Sequence, residues 1–227
     1  MKKIVICTSP RTTNYIHQIF HTIKENTDIH LFVCGEDTRY LQKYISYPNV
    51  SVTTTPMNSN NVAFRMVSNH KRCLSEGYVE GDDGIFIVED DVKFAQGWKL
   101  RLEEIIADLK AKHNDNFVLT AFTARTLCRS DNLPPLHYLP ISNLNDFLGS
   151  QGIYYPNAAR KKILKCLNKI DESNKLAYDI HLRNIFGAEN IPIYAAIPCL
   201  VEHVGYTSSW RSNRFMPAAT IFHQVLA

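Results

Sequence analysis

The stretch FIVEDDVKF, residues 86–94, ends an apolar run with three consecutive acids, Glu89, Asp90 and Asp91. With the two residues before it, the apolar part predicts a strand at the centre of a parallel sheet, because such strands are buried on both faces and read as continuous apolar runs. Charged side chains are rarely buried unless they are paired or bind a metal. The three acids are therefore either a solvated turn or part of a cation site.

Strand-like and helix-like segments alternate on both sides of this strand. Apolar and β-branched runs predict strands at KKIVICT (2–8), IHLFVCG (29–35), NVSVTTT (49–55) and NFVLTAF (116–122). Helical periodicity predicts helices over 13–26, 63–77 and 98–113. This β-α-β rhythm predicts an α/β, Rossmann-like fold with a mostly parallel central sheet and helices on both faces.

The second half of the chain is less regular. A surface loop with paired prolines is predicted over 125–140. Residues 149–169 are predicted to form a strand, a turn at Pro156–Asn157 and then a helix. A helix over 173–187, a strand over 191–198 and a polar tail over 199–215 follow. Ser173 or Asn174 is the expected N-cap of the helix over 173–187. No repeat, low-complexity tract or linker interrupts the chain, so we predict one domain over residues 1–227.

The net charge of +3 is too small to indicate a nucleic-acid-binding protein by itself. Its distribution is uneven, because residues 155–227 carry nine Lys and Arg against five Asp and Glu, whereas residues 1–154 carry sixteen against seventeen. A basic C-terminal third beside an acidic cluster suggests contact with a polyanion near a cation site. A solvated helix face over 159–169 is the alternative interpretation of these lysines.

The cysteines and the N-terminus bear on the compartment. The six cysteines are scattered without a C-x-x-C pair, which favours a reduced, intracellular protein over a disulfide framework. The N-terminal apolar run, Ile4 to Cys7, is shorter than the ~7–15 residues of a signal peptide's core. No stretch reaches the ~20 apolar residues of a membrane span. We therefore expect a soluble protein in the cytoplasm of a bacterium, or of the host cell if the protein is viral.

Several polar residues follow predicted strands, where parallel sheets bind ligands. Three carboxylates at one strand end supply the oxygen ligands that Mg²⁺ and Mn²⁺ prefer. Arg11, after the first strand, is a candidate phosphate or nucleobase contact, or else a surface arginine. Arg65 and His70, on the helix before the acidic strand, are candidates for the same site or parts of a solvated helix face. His203 follows a late strand as a metal ligand or a hydrogen-bonded loop residue.

Four segments together resemble nucleotide-sugar glycosyltransferases of the GT-A fold: CTSPR, FIVEDDVKF, GSQGIYYPNAA and IPCLVEHVGYTSS. The last is similar to the histidine-glycine-serine segment of the N-acetylglucosaminyltransferase IV-like family. EDD resembles the D-x-D motif of that fold, with Glu89 in the first acidic position and Asp91 in the last. The resemblance implies a GT-A domain with a donor-binding part over about 1–120 and an acceptor-side part over about 121–227.

The resemblance also implies which residues bind the donor. Asp91 and His203 would hold Mn²⁺ or Mg²⁺. The donor, which the resemblance suggests is a UDP-sugar, would contact Thr8, Ser9, Arg11, Glu89 and Asp90. Apart from the resemblance, Arg65 is a further candidate contact from its helix, and we hypothesise that Arg211 and Arg214 close over the diphosphate, with Arg211 a nucleotide-sugar contact.

On the acceptor side, the resemblance implies contacts from Gln151 and Gly152 and a catalytic base at Asp179. An ordinary surface ion pair with Arg183, four residues further along one predicted helix, and a contact with the acceptor are the alternatives for Asp179. The expected activity is inverting transfer of a sugar to a hydroxyl of a glycan or, as the second choice, of a hydroxymethylated base in DNA. A metal-dependent hydrolase or nucleotidyltransferase and a non-catalytic nucleotide-sugar-binding domain are the alternatives.

Overall fold

A computed structural model describes residues 3–10, 13–23, 27–56, 59–123, 138–147 and 149–205. The strands are β1 Lys3–Thr8, β2 Asp28–Cys34, β3 Val50–Thr55, β4 Gly84–Glu89, β5 Val92–Phe94, β6 Val118–Thr120, β7 Tyr138–Pro140, β8 Gly152–Pro156, β9 Ile193–Ala196 and β10 Val201–His203. The helices are α1 Ile16–Thr22, α2 Gln42–Ile45, α3 Val62–Glu76, α4 Trp98–His113, α5 Asn157–Leu167 and α6 Tyr178–Ala188, with short 3-10 helices at Arg39–Leu41 and Leu144–Asp146.

Within the described residues, eight strands form one sheet in the order β3-β2-β1-β4-β8-β6-β9-β7. β3, β2, β1 and β4 are parallel neighbours, as are β6 and β9. β8 lies antiparallel between β4 and β6, and β7 is antiparallel to β9 at the edge. The sheet is therefore mostly parallel, and the predicted α/β, Rossmann-like fold is confirmed.

Helices cover both faces of this sheet and create two apolar layers. α1, α2 and α4 pack on one face through side chains such as Ile19, Trp98 and Leu102. α3, α5 and α6 pack on the other face, where Val67 and Leu182 are buried. The side chains of Ile85 to Val88 in β4 are at most 3% exposed, because this central strand is covered from both sides. Its position agrees with the prediction from the apolar run.

The structure differs from the predictions in the second half of the chain. The predicted loop over 125–140 ends in strand β7, and its residues up to 137 lie outside the described part. The predicted turn at Pro156–Asn157 is absent, because α5 begins directly after β8. α6 begins at Tyr178 with Ala177 as its N-cap, which corrects the capping prediction. The side chains of Ser173 and Asn174 instead bond within the preceding turns, to Asp171 and to the Leu176 backbone.

A second, two-stranded sheet forms from β5 and β10, the latter within the segment predicted as a polar tail. The pairing is antiparallel and sets Val201 against Phe94 and His203 against Val92. Lys93 and Glu202 lie opposite each other and form an ion pair at 2.6 Å. This ribbon brings the end of the described chain back to the acids that follow β4.

None of the helices in the described ranges is long and apolar enough to cross a lipid bilayer.

Candidate functional site

The three acids at the end of β4, of which Glu89 is its last residue, are each engaged by a different part of the fold. Glu89 accepts a hydrogen bond from Ser150 Oγ, just before β8. Asp90 accepts one from Thr8 Oγ1, at the end of β1, with 2.5 Å between the oxygens. Asp91 contacts His203 at the end of β10. Asp90 and Asp91 are only 1% and 6% exposed, so the segment is not a solvated turn.

Asp91 and His203 form the centre of this site. The distance from His203 Nε2 to Asp91 Oδ2 is 3.3 Å, and the two side chains are 4% and 9% exposed. The backbone supports the contact, because Val204 N donates to Asp91 O at 2.8 Å. The antiparallel register of β5 and β10 therefore places the carboxylate and the imidazole side by side.

Gly205 lies close against this pair. A Cβ atom at position 205 would lie 2.6 Å from Asp91 Oδ2 and 3.0 Å from His203 Nε2. Real Cβ atoms do not approach other heavy atoms at 2.6 Å, so any larger residue would press on the carboxylate. Only glycine therefore fits at this position without displacing the carboxylate.

The pair fits the requirements of a divalent cation. Two adjacent ligands at ~2.1 Å from an octahedral Mg²⁺ lie about 3 Å from each other. The observed 3.3 Å is close to that separation and longer than the ~2.7–2.9 Å of a typical charge-assisted hydrogen bond. In the described part of the chain, no group of three or more His, Cys, Asp or Glu side chains could hold a metal. A Mg²⁺ or Mn²⁺ ion here would take its other ligands from water and substrate phosphates, as Mg²⁺ commonly does.

The end of β1 connects this site to the loop after β2. Thr8 Oγ1 lies 3.0 Å from Tyr40 OH while it donates to Asp90, so a hydrogen-bonded chain runs from Tyr40 through Thr8 to Asp90. Sequence reasoning missed Tyr40, because only the tertiary fold brings it to Thr8. Ser9 follows Thr8 and is partly exposed. Arg11, Arg211 and Arg214 lie outside the described residues.

Arg65 lies near the carboxyl end of β2. Burial raises the pKa of the Cys34 thiol at that strand end, and the nearby charge of Arg65 opposes the rise. The side chain of Arg65 is half-buried in α3, at the same edge of the sheet as the acids. Its predicted contact with a nucleotide stays a prediction.

His70 is a core residue, which corrects both interpretations made from the sequence. It is 3% exposed, its ring centroid lies 4.0 Å from that of Tyr178, and Nε2 hydrogen-bonds Tyr155 OH at 3.2 Å. Burial lowers its pKa to about 3. His70 and Arg65 are five residues apart, which is about 140° around a helix, so they point in different directions.

Gln151 and Gly152 lie at the junction of β4 and β8. Gln151 O accepts from Glu89 N at 3.2 Å, and the Gln151 side chain covers Gly149, whose φ of 78° favours glycine. The Gln151 side chain is buried, and its Oε1 has no hydrogen-bond partner within the described ranges. A Cβ at Gly152 would meet the apolar side chains of Ala121 and Val201 at 3.3 Å. The contacts predicted between the acceptor and Gln151 and Gly152 stay predictions.

Asp179 lies in the first turn of α6 and is half-buried. Its Oδ1 accepts from the backbone N of Ile180 at 3.0 Å. Arg183, its expected ion-pair partner on the same helix, donates to Asn145 Oδ1 at 3.3 Å. No ion pair forms between Asp179 and Arg183, so the surface-pair interpretation is not supported by the geometry of these two residues.

Two surface clefts of about 540 and 610 Å³ lie away from this site. Both are near the amino end of β4, and both include Asp115. Their linings carry both signs of charge, with Lys110 and Lys161 beside the acids. The acids after β4 lie at the opposite end of that strand, where the ligand sites of parallel sheets are found.

Comparison with known proteins adds a distant likeness. No family model matches the chain, and no curated protein matches it. Among solved structures, the inositol-1-phosphate CTP transferase from T. maritima aligns with 87% of this chain and 89% of its own, at 11% identity and a TM-score of 0.45. Similarity at this level carries no argument about substrate or reaction. The site's geometry is therefore the basis for assigning a function.

Proposed function

We propose that this chain is a metal-dependent glycosyltransferase that transfers a sugar from a nucleoside-diphosphate donor, a UDP-sugar by resemblance, to an acceptor hydroxyl. One observation carries the proposal: Asp91 and His203 lie 3.3 Å apart at the carboxyl edge of the sheet, with Gly205 so close to them that no Cβ atom fits there. The resemblance to the N-acetylglucosaminyltransferase IV-like family, in segments that include both residues, supports this assignment.

The donor would bind across the ends of β1 and β4. Asp91 and His203 would hold Mn²⁺ or Mg²⁺, which supplies positive charge against the charge that develops on the leaving diphosphate. Asp90 is oriented by Thr8, and Thr8 contacts Tyr40. This series of hydrogen-bonded side chains is suited to fix the nucleoside end of the donor. Glu89, oriented by Ser150, would contact ribose or metal-bound water.

The transfer step needs a base that takes the proton of the acceptor hydroxyl. Asp179 is the proposed base, because it is a half-buried carboxylate whose side chain forms no ion pair with Arg183. As the acceptor oxygen bonds to the anomeric carbon, its proton passes to Asp179 and the bond to the diphosphate oxygen breaks, with inversion. The buried amide of Gln151 is a candidate hydrogen-bonding group for the acceptor.

A glycan is the first choice of acceptor, and a specific observation favours DNA as the second. Lys161, Lys165 and Lys169 recur every four residues along exposed positions from α5 onward, and Lys175 is exposed between α5 and α6. None of these lysines forms an ion pair with another described residue. A row of unpaired lysines is suited to a phosphate backbone.

Product analysis tests the proposal. The full-length protein is incubated with UDP-sugars, Mn²⁺ and oligosaccharide or hydroxymethylated duplex acceptors, and the nucleotide products are separated. Sugar transfer releases UDP together with a glycosylated acceptor, and Asp179→Asn should reduce that rate by about 10²-fold or more, since base catalysis contributes 10²–10⁴-fold. Release of sugar 1-phosphate with UMP attached to the acceptor would favour a nucleotidyltransferase, and release of free UMP without glycosylated acceptor would favour a hydrolase.

A non-catalytic nucleotide-sugar-binding domain gives a different pattern. It would bind UDP-sugar without turnover on any acceptor, and its binding would not depend on Mn²⁺. Binding is measured by thermal stabilisation, since a ligand that binds the native state raises the melting temperature.

A further inference from the structure

We infer that helix α3 positions Asp179, and that Asn61 is the main positioning residue; this inference rests on the proposed function. α3 belongs to the part of the chain that carries the donor site, whereas Asp179 lies in the first turn of α6, in the acceptor-side part. α3 contacts this region at two places: its N-cap contacts the segment before α6, and its middle contacts the first residue of α6. Both contacts are made by side chains of polar residues that the proposed chemistry does not otherwise use.

Asn61 makes the first contact and uses both ends of its amide. Its Oδ1 accepts from Phe64 N at 3.2 Å and so caps α3. Its Nδ2 donates to Glu172 O at 2.8 Å and to Asn174 O at 2.6 Å. The amide therefore joins the start of α3 to the segment that leads into α6.

Ser59 strengthens the same contact. Its hydroxyl donates to the Glu172 carboxylate and accepts from Asn61 N, the latter at 3.0 Å. Ser59 is 8% exposed, so this hydrogen bond is largely shielded from water. Ser59 therefore holds the side chain of Glu172, while Asn61 holds the backbone of Glu172 and Asn174.

His70 makes the second contact, about two and a half turns further along α3. Its ring lies against Tyr178, with 4.0 Å between the centroids, and Tyr178 is the first residue of α6. Because burial keeps His70 neutral, with its pKa lowered to about 3, this contact does not change in the neutral range. Asp179 directly follows Tyr178, so both contacts bear on the position of its carboxylate.

The two contacts leave little freedom for the start of α6. Residues 172–174 are hydrogen-bonded to the N-cap of α3, and Tyr178 packs against the middle of the same helix. A general base must lie within hydrogen-bonding reach of the proton it removes, so a small displacement of α6 would lower the rate of transfer without changing donor binding.

Asn61→Asp separates the two roles of this residue. Aspartate caps a helix as well as asparagine does, so α3 keeps its N-cap. The carboxylate has no N–H to donate and would face the two carbonyl oxygens, so the link to α6 is lost. Ser59→Ala is a second, milder variant that leaves the capping side chain intact. Asn143→Asp is the matched control, since Asn143 caps the 3-10 helix at Leu144–Asp146 through its Oδ1.

Hydrogen exchange on the full-length protein tests the link independently of activity. In Asn61→Asp, amides over 172–182 should exchange about tenfold faster, as expected for the loss of two hydrogen bonds, while those of α3 keep their protection. Ser59→Ala should show a smaller effect in the same region, and Asn143→Asp none. Unchanged exchange over 172–182 in Asn61→Asp would overturn the inference.

Kinetics test the positioning role. Asn61→Asp should lower kcat for transfer about tenfold and leave the Kd for UDP in the presence of Mn²⁺ unchanged. Faster exchange with an unchanged kcat would show that the link exists but does not position the base, which also contradicts the inference. If Asp179→Asn retains full transfer, the proposed base is wrong, and the exchange result alone then decides whether α3 holds α6.

Discussion

His203 Nε2 lies 3.3 Å from Asp91 Oδ2, although the two residues are far apart in the chain. The contact exists because β5, directly after Asp91, pairs with β10, which ends at His203. The Asp91 carboxylate, just after a core strand, and the His203 imidazole, from the last described strand, are thus buried side by side. Four predictions follow from this site and from the elements around it.

Gly205→Ala should disturb the pair formed by Asp91 and His203. The new Cβ would lie 2.6 Å from Asp91 Oδ2, and the carboxylate would have to move away from His203. We expect the affinity for UDP in the presence of Mn²⁺, measured from thermal stabilisation, to fall at least tenfold. The far-ultraviolet circular dichroism spectrum should stay like that of the wild type. Gly187→Ala is the control, because its Cβ would meet only a Leu144 methyl group at 3.0 Å. Full Mn²⁺-dependent affinity in Gly205→Ala would contradict the metal assignment.

Asp91→Asn should abolish metal-dependent donor binding while preserving side-chain volume. Wild-type protein at a UDP concentration of 100 times Kd gains about 2.7 kcal/mol in the free energy of unfolding, and the variant should gain almost none. Thermal unfolding with UDP, with and without Mn²⁺, measures the difference. Asp28→Asn, at an exposed position at the start of β2, should behave as the wild type does. An Asp91→Asn protein with the wild-type response to Mn²⁺ would exclude Asp91 as a ligand.

His70 should make the protein less stable as the pH falls. Its pKa is about 3 in the folded state, lowered from 6.5 by burial, so the unfolded chain binds an additional proton between these values. Stability from this residue is therefore complete above pH 6.5 and is lost toward pH 3, by at most about 1.4 kcal/mol per pH unit. Burial also lowers the pKa of His30 and His181, which adds a slope of the same sign.

Urea unfolding of the wild type and of His70→Gln at pH 7, 6, 5 and 4 measures this contribution. The variant should be less stable at pH 7, because the packing against Tyr178 is lost. The difference between the two proteins should shrink toward pH 4. A difference that stays constant over this range would show that His70 does not titrate on unfolding.

Lys161 and Lys165 of α5 and Lys169 just after it should determine any binding to duplex DNA. Each phosphate contact contributes a slope of roughly 0.9 to the dependence of log K on log salt concentration. Replacing Lys161, Lys165 and Lys169 by Gln should reduce that slope by about 0.9 for each lysine involved, as measured by fluorescence anisotropy. Lys43→Gln, an exposed position in α2, is the control. Salt-independent binding, or a slope unaffected by the triple variant, would favour a glycan acceptor.

Local patterns were sufficient to predict much of the first half of the fold. α4 coincides with the predicted 98–113, and β4 is the buried central strand that its apolar run indicated. β7 and β10 were missed, because each has only three residues and is a strand through its pairing with a distant one. The sequence pattern also did not predict that β8 is antiparallel to its neighbours, since the apolar character of a strand does not indicate its direction.

For the candidate site, sequence reasoning identified residues but not their partners. It predicted that Asp91 and His203 act together, and the geometry is consistent with that pair. It did not predict that Glu89 bonds Ser150, because this neighbour comes from a strand that joins the sheet much later in the chain. It also assigned His70 to a ligand site or a solvated face, since a helical pattern alone does not show what packs against that helix.

The sequence alone determined the α/β class, the buried central strand and the presence of acids at its carboxyl end, because periodicity and apolar runs are local properties of the chain. Only the tertiary structure decided how the three acids are used: one meets the entry to β8, one the end of β1, and one the histidine of β10. It also decided that Asn61, the N-cap of α3, bonds the backbone oxygens of Glu172 and Asn174 in the segment before α6. Such contacts depend on the relative positions of elements far apart in the chain, which no local pattern encodes.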